Sequence, residues 1–183
     1  EYGITPLIIA IYRGETGIAN LLIEKLATQR PEVLITPNKN GDTPLHLAMK
    51  ARQTDIANLL IEKLATQSPE ELTTPNKSGQ TPLHIAIEKG QTDIAIKLID
   101  ILFEKYPESL STSNKDGDTP LHLAIEEGQT DLANLLIEKL ATQSPEELIT
   151  QNEYGITPLH MAIKKRQIDI AIKLIDILFE KYP

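Results

Sequence analysis

The chain has 183 residues, 26 of them acidic and 18 basic, for a formal net charge of -8, and it contains no cysteine. The acidic balance excludes the basic stripe that a phosphate-backbone partner needs, so no nucleic acid is expected to bind, and the missing cysteines exclude disulfides, thiolate metal sites and thiol nucleophiles. No apolar run approaches the roughly 18 residues of a membrane span and no signal peptide is visible, so membrane insertion is not expected and an intracellular, cytoplasmic location is.

In chain order, the first landmark is Thr5-Pro6-Leu7-Ile8, and Thr-Pro-Leu-His then begins at Thr43, Thr81, Thr119 and Thr157, each step being 38 residues. A fixed period of this size means one supersecondary unit copied and stacked rather than a single globular core. The copies run about 1–38, 39–76, 77–114, 115–152 and 153–183, and together read as one array. Glu1 is not an initiator methionine, and Pro183 stops where other copies continue into Glu-Ser-Leu or Glu-Glu-Leu. The array is therefore read as an excerpt of a longer protein.

The elements of one copy follow from residues 114–151. Asn114-Lys115-Asp116-Gly117 is a turn signal, with the glycine able to take positive φ. Thr119 offers a capping hydroxyl, and Pro120 stands at the first helical position, where its missing N–H costs nothing. Leu121, Leu123, Ala124 and Ile125 make a short helix mostly apolar, which Gly128 ends. Asp131 opens a second helix, where Leu132, Leu136 and Leu140 share a face. Ser144-Pro145-Glu146-Glu147 predicts a fresh serine cap with glutamate at the third position, followed by one short helical turn ending near Leu148. A second periodicity overlies the first. Copies one, two and four carry Leu-Leu-Ile-Glu-Lys-Leu-Ala-Thr-Gln, and copies three and five carry Lys-Leu-Ile-Asp-Ile-Leu-Phe-Glu-Lys-Tyr, so a block of 76 residues reads as duplicated. The pairs Phe103/Tyr106 and Phe179/Tyr182 then recur on alternate layers.

The pattern Gly-x-Thr-Pro-Leu-His-x-Ala, then glycine, then Asp-Ile/Leu-Ala-x-x-Leu-Ile, resembles the ankyrin repeat, across all five copies. The resemblance implies an all-α fold: an ankyrin-type α-solenoid of stacked helix-turn-helix repeats, with the turns projecting like fingers. It also implies a surface that binds another protein. One departure stands out. The family's unit is about 33 residues, and where it usually carries a glycine after the second helix this chain has Leu26, Leu64, Leu102, Leu140 and Leu178. The five added residues predict a second helix longer by about 1.4 turns, with its leucines extending the core between repeats.

Candidate chemistry reduces mainly to structure. The four histidines, His46, His84, His122 and His160, all lie in the repeated motif. Stacked helices sit about 8–10 Å apart, too far for adjacent rungs to share a zinc ion with bonds of about 2.0–2.1 Å. Each ring is instead expected to bond back to its own capping threonine, Thr43, Thr81, Thr119 or Thr157, and to backbone of the next turn. Neither a metal nor any cofactor is expected. Glu70/Glu71 and Glu146/Glu147 are adjacent on a helical turn and do not face each other as an acid–base pair would. Asn76-Lys77-Ser78 matches a glycosylation sequon by chance alone. No phosphate loop, nucleophile elbow or independent Ser/His/Asp set is present, so the array is not expected to be an enzyme. Arg52 and Arg166 occupy the slot held elsewhere by Gly14, Gly90 and Gly128.

In arrays of this kind the concave side is built from finger tips and first-helix ends. The residues expected there to contact a protein partner are Tyr2, Ile4, Tyr12, Arg13, Asn40, Asp42, Lys50, Lys89, Asp116, Asp118, Glu127, Tyr154, Ile156 and Lys165. Exposed tyrosine and arginine most often anchor interfaces, which favours Tyr2, Tyr12, Arg13 and Tyr154. The leading reading is a non-catalytic interaction scaffold. Its alternatives are the targeting arm of a larger effector or toxin, placed in a host cytoplasm, and a structural spacer or engineered scaffold. The terminal copies lack polar capping repeats, so end-to-end self-association is a further expectation.

Overall fold

A computed structural model describes residues 4–181, and within them the elements alternate short and long helices. The short helices are α1 (Pro6–Arg13), α3 (Pro44–Lys50), α5 (Pro82–Glu88), α7 (Pro120–Glu126) and α9 (Pro158–Lys164). The long ones are α2 (Thr16–Gln29), α4 (Thr54–Gln67), α6 (Thr92–Lys105), α8 (Thr130–Gln143) and α10 (Ile168–Lys181). Each short helix starts because a threonine in extended conformation precedes a proline, whose fixed φ suits the first turn. Two or three residues lead into the long helix, which begins one residue before the aspartate read as its opening in copy four.

Packing follows the repeat. Each short helix packs on its own long partner, α3 on α4 and α7 on α8 among them. Short helices also pack on short helices of the next copy, and long on long, giving two layers. Leu45, Ala48 and Met49 of α3 and Ile56, Leu60 and Ile61 of α4 lie fully buried between them. The result is the all-α solenoid that the resemblance implies, with no strand among the described residues.

The leucines in the family's glycine slot are helical. Leu64, Leu102 and Leu140 are buried in the core, and Leu26 and Leu178 are half-buried in the outer copies. The stretch from Leu102 through Lys105, where α6 ends, is four residues, so the helix gains about 1.1 turns rather than 1.4. The rest of the added length enters a 3-10 turn, Pro107–Ser111 in copy three. The serine cap expected at Ser144 does not form. Ser144 closes α8 instead, donating its N–H to the Leu140 carbonyl at 2.8 Å, and its side chain makes no capping bond. A residue that ends one helix so directly cannot also take the extended conformation of a cap. Glu147 turns away to accept from the Thr150 hydroxyl.

Arg52 and Arg166 adopt φ of 55° and 59°, in the left-handed region that Gly90 and Gly128 also occupy. A side chain in that region costs about 1 kcal/mol relative to glycine. At Gly90 an added Cβ meets nothing within 4 Å, so the cost at this turn is backbone strain and not collision. Arg52→Gly is therefore expected to stabilise the array by about 1 kcal/mol, read as a higher urea midpoint. No gain, or a loss, would show that the arginine side chain holds a contact worth more than the strain.

Candidate protein-binding surface

The fingers are built by asparagines. Asn38 Oδ1 accepts from the N–H groups of Asn40 and Asp42 at 2.8 and 3.0 Å, which folds the tip. Asn76, Asn114 and Asn152 do the same in the following copies. Neighbouring fingers then join through backbone: Lys77 N–H donates to Asn40 O at 2.9 Å, and Glu153 N–H to Asp116 O at 3.0 Å. The close approach leaves no room at the tip. A Cβ on Gly117 would lie 2.6 Å from the Glu153 nitrogen, whereas one on Gly155, in the last finger, meets nothing within 4 Å.

The histidines brace this arrangement. His46 Nδ1 accepts from the Thr43 N–H at 3.3 Å and lies 2.8 Å from its hydroxyl, while Nε2 lies 3.1 Å from Gln80 O in the next finger. A carbonyl only accepts, so Nε2 carries the proton. His84 reaches Asp118 O and His122 reaches Ile156 O in the same way. Burial pushes His46 and His84 down to about 4 and lowers His122, so these rings are neutral at pH 7. His160 keeps the bond to Thr157 but is exposed. Among the described residues no group of three or more His, Asp or Glu side chains is arranged to hold a metal.

The variable residues sit in register over this frame. In copies two and three the finger residue bonds to the helix-end residue eight positions on. Lys50 Nζ lies 2.6 Å from Asp42 Oδ1, and Gln80 Nε2 donates to Glu88 Oε2 at 2.6 Å. In copy one the corresponding pair is apolar. Ile4, Ile8 and Tyr12 line an open groove with Asn38, Lys39 and Asn40, and Asn38 Nδ2 donates to the Tyr12 hydroxyl at 3.2 Å. The groove thus brings together three of the residues picked out in the sequence: Ile4, Tyr12 and Asn40.

Arg13, Asp116 and Glu127 are exposed, and Tyr154 is 75% exposed. Ile156 and Lys89 are half-buried, the lysine paired with Glu88 at 2.8 Å. Lys165 is exposed and pairs with Glu126 at 3.6 Å. Tyr2 and Tyr182 lie outside the described residues. Asp42 and Asp118 depart from expectation. Both are buried and accept from an asparagine of the next copy, Asn76 and Asn152, at 2.8 Å, so the structure places them inside the scaffold. The same burial removes Asn76 from use as a glycosylation acceptor. These asparagines were missed as joints although they recur every 38 residues. So were Gln53, Gln129 and Gln167, which donate to Ile11 O, Ile87 O and Ile125 O of the preceding copy at 2.6–2.7 Å.

A family model for ankyrin repeats matches residues 1–71, 34–109, 63–147 and 100–181. No curated protein matches the chain.

Two outcomes follow from the fingers and the rings. Gly155→Ala is expected to cost about 1 kcal/mol for positive φ alone, and Gly117→Ala about 1–3 kcal/mol more for collision with the next finger. Equal urea midpoints for the two variants would show that the approach does not need glycine. The lowered histidines bind fewer protons folded than unfolded between pH 6.5 and about 4. Stability is then full above pH 6.5 and falls as pH drops to about 4, by on the order of 3 kcal/mol for each of His46 and His84. A urea midpoint that stays flat across this window would contradict the neutral-ring arrangement.

Proposed function

The chain belongs to the ankyrin-repeat family, and on that premise we propose that it is a non-catalytic scaffold that binds a partner protein on its concave side, along finger tips and first-helix ends. Ankyrin repeats generally mediate protein–protein interaction. The observation that carries the finer reading is the groove of Ile4, Ile8, Tyr12, Asn38, Lys39 and Asn40, an apolar recess rimmed by two amides and a lysine. Tyr12 stands 61% exposed at its wall, a rigid amphipathic anchor of the type that dominates interfaces. Beyond it the row changes character copy by copy, to Lys50, then Glu88, then Glu126 and Glu127, then Lys164 and Lys165 with Tyr154. A partner reading this row would meet an apolar end, then Lys50, then the acidic residues Glu88, Glu126 and Glu127, and a basic far end.

Two features support binding over catalysis. The histidines, the only side chains of neutral-pH acid–base chemistry here, are bound in the frame at three of four positions. The fingers are already locked to one another by backbone bonds, so docking orders few groups and loses little entropy.

Photo-crosslinkers placed at Asn40 and Tyr154, against controls at Glu62 and Asp100 on the long helices, test the surface. Crosslinks to a common partner are expected from the first pair only, and Ile4→Ser with Tyr12→Ala is expected to weaken capture about tenfold or more. Crosslinking from the long-helix positions, or capture undiminished by the double substitution, would sink this assignment.

A further inference from the structure

Asn40 precedes Gly41 at the tip of the second finger, and this is the one Asn-Gly pair in the chain. The backbone there is held by three bonds. Asn40 N–H donates to Asn38 Oδ1 at 2.8 Å, its carbonyl accepts from the Lys77 N–H at 2.9 Å, and Gly41 N–H donates to Asn38 O at 3.0 Å. The Asn40 side chain is exposed, and among the described residues no hydrogen bond holds its amide. The other asparagines are held or hindered. Asn38, Asn76, Asn114 and Asn152 each accept two backbone N–H groups on Oδ1 and precede lysine or glutamate. Asn20, Asn58 and Asn134 precede leucine within long helices.

We propose that Asn40 is a site of spontaneous deamidation, and that the joint to the third finger directs its product to ordinary aspartate. The Gly41 nitrogen gives its proton to solvent base and attacks Asn40 Cγ; with no Cβ on residue 41, nothing hinders the approach. The new C–N bond closes a five-membered succinimide. The bond from Cγ to the side-chain nitrogen breaks, and ammonia leaves with a proton from water. A second water then opens the ring and returns a proton to the Gly41 nitrogen. In balance, one amide and one water become one carboxylic acid and one ammonia, with no oxidant or cofactor.

Water can open the ring at either carbonyl. The α-carbonyl is the more electrophilic, because the amide nitrogen on Cα withdraws electrons. A free succinimide therefore opens mainly there and leaves isoaspartate, with one extra carbon in the main chain. The folded finger has no place for that carbon. A Cβ on Gly41 would already lie 2.8 Å from the Lys77 nitrogen, and a longer path would pull apart the bonds among Asn38, Asn40 and Lys77. Opening at Cγ keeps the main chain at its own length. The molecule already holds the resulting tip: Asp116 occupies the equivalent place in copy four, its N–H on Asn114 Oδ1 at 2.9 Å and its carbonyl accepting from Glu153 N–H at 3.0 Å. Deamidation thus gives the second finger the chemistry of the fourth. It adds one negative charge to the formal -8 and sets a carboxylate on the groove beside Lys39.

Isoelectric focusing and peptide mapping of the whole chain, kept folded or in urea in mildly alkaline buffer, test the proposal. In urea the fastest acidic step is expected to map to Asn40 and to give mainly isoaspartate. The folded chain should show the same step about tenfold more slowly, because Gly41 N–H must first leave Asn38 O, and should give mainly aspartate. Asn40→Gln should remove this step from both, since the longer side chain would have to close a less favourable six-membered ring. Residue 40 is exposed, so the variant should melt as the parent does. A fast step that persists in Asn40→Gln, a folded chain unchanged after roughly a hundred times the denatured half-life, or isoaspartate as the main folded product would each overturn the proposal.

Discussion

The histidine bridge is the interaction on which the rest of the array depends. One ring accepts from the backbone of its own helix cap and donates to the finger of the next copy. It therefore couples two structures of quite different scale, a first turn of helix and a joint between repeats. Neither bond alone would hold a buried imidazole, since a ring with one nitrogen unsatisfied carries a desolvation penalty of about 1–3 kcal/mol. Both nitrogens are satisfied only when the neighbour is present and in register. The finger asparagines work by the same rule, with Asn76 folding its own tip and reaching back to Asp42. Each copy is thus incomplete by itself, and stability resides in the joints.

This sharing explains which residues vary. Positions that bond across a joint answer to two copies at once, and they are nearly constant: Asn76 and Asn152 at the fingers, with asparagine also at 38 and 114, and Gln53, Gln129 and Gln167 before the long helices. Positions of the finger-tip and helix-end row vary instead. The pairs Ile4/Tyr12, Asp42/Lys50, Gln80/Glu88, Asp118/Glu126 and Ile156/Lys164 occupy equivalent places with five different chemistries. Asp42 and Asp118 straddle the two groups. Each belongs to the variable row, yet each has been drawn into a joint by the asparagine beside it.

That intermediate case marks where sequence reading succeeded and where it stopped. The threonine caps, the first-turn prolines, the bracing histidines and the long second helix were legible, because each is a local rule written in a few adjacent residues. So were the strained arginines, since the slot they fill is glycine in the other copies. The burial of Asp42 was not legible, because the partner that buries it lies 34 residues away and the bond depends on the distance between fingers. Ser144 failed for a related reason. Its local motif reads as a helix start, but the preceding helix runs up to it and decides its conformation first. Within the proposed binding surface, the tip and helix-end positions came from the family resemblance, while their pairing eight residues apart, and the groove at Ile4 and Tyr12, required the fold.

The lengthened long helix bears on the surface as well as on the core. Leu64, Leu102 and Leu140 bury apolar area between long helices, on the layer away from the fingers. Fully burying a leucine contributes about 1.5–3 kcal/mol, so each internal copy gains stability at a place no finger residue touches. The ion pairs Lys63–Glu24, Lys97–Glu62, Lys139–Asp100 and Lys173–Glu138 line the same layer, but they are largely solvated and contribute about 0–1 kcal/mol apiece. Cohesion on that side is therefore mainly apolar. The array can then carry a substitution that costs stability, such as an arginine at positive φ, without losing the stack. Separating the layer that holds the array together from the row of finger and helix-end residues lets the row change while the joints stay the same.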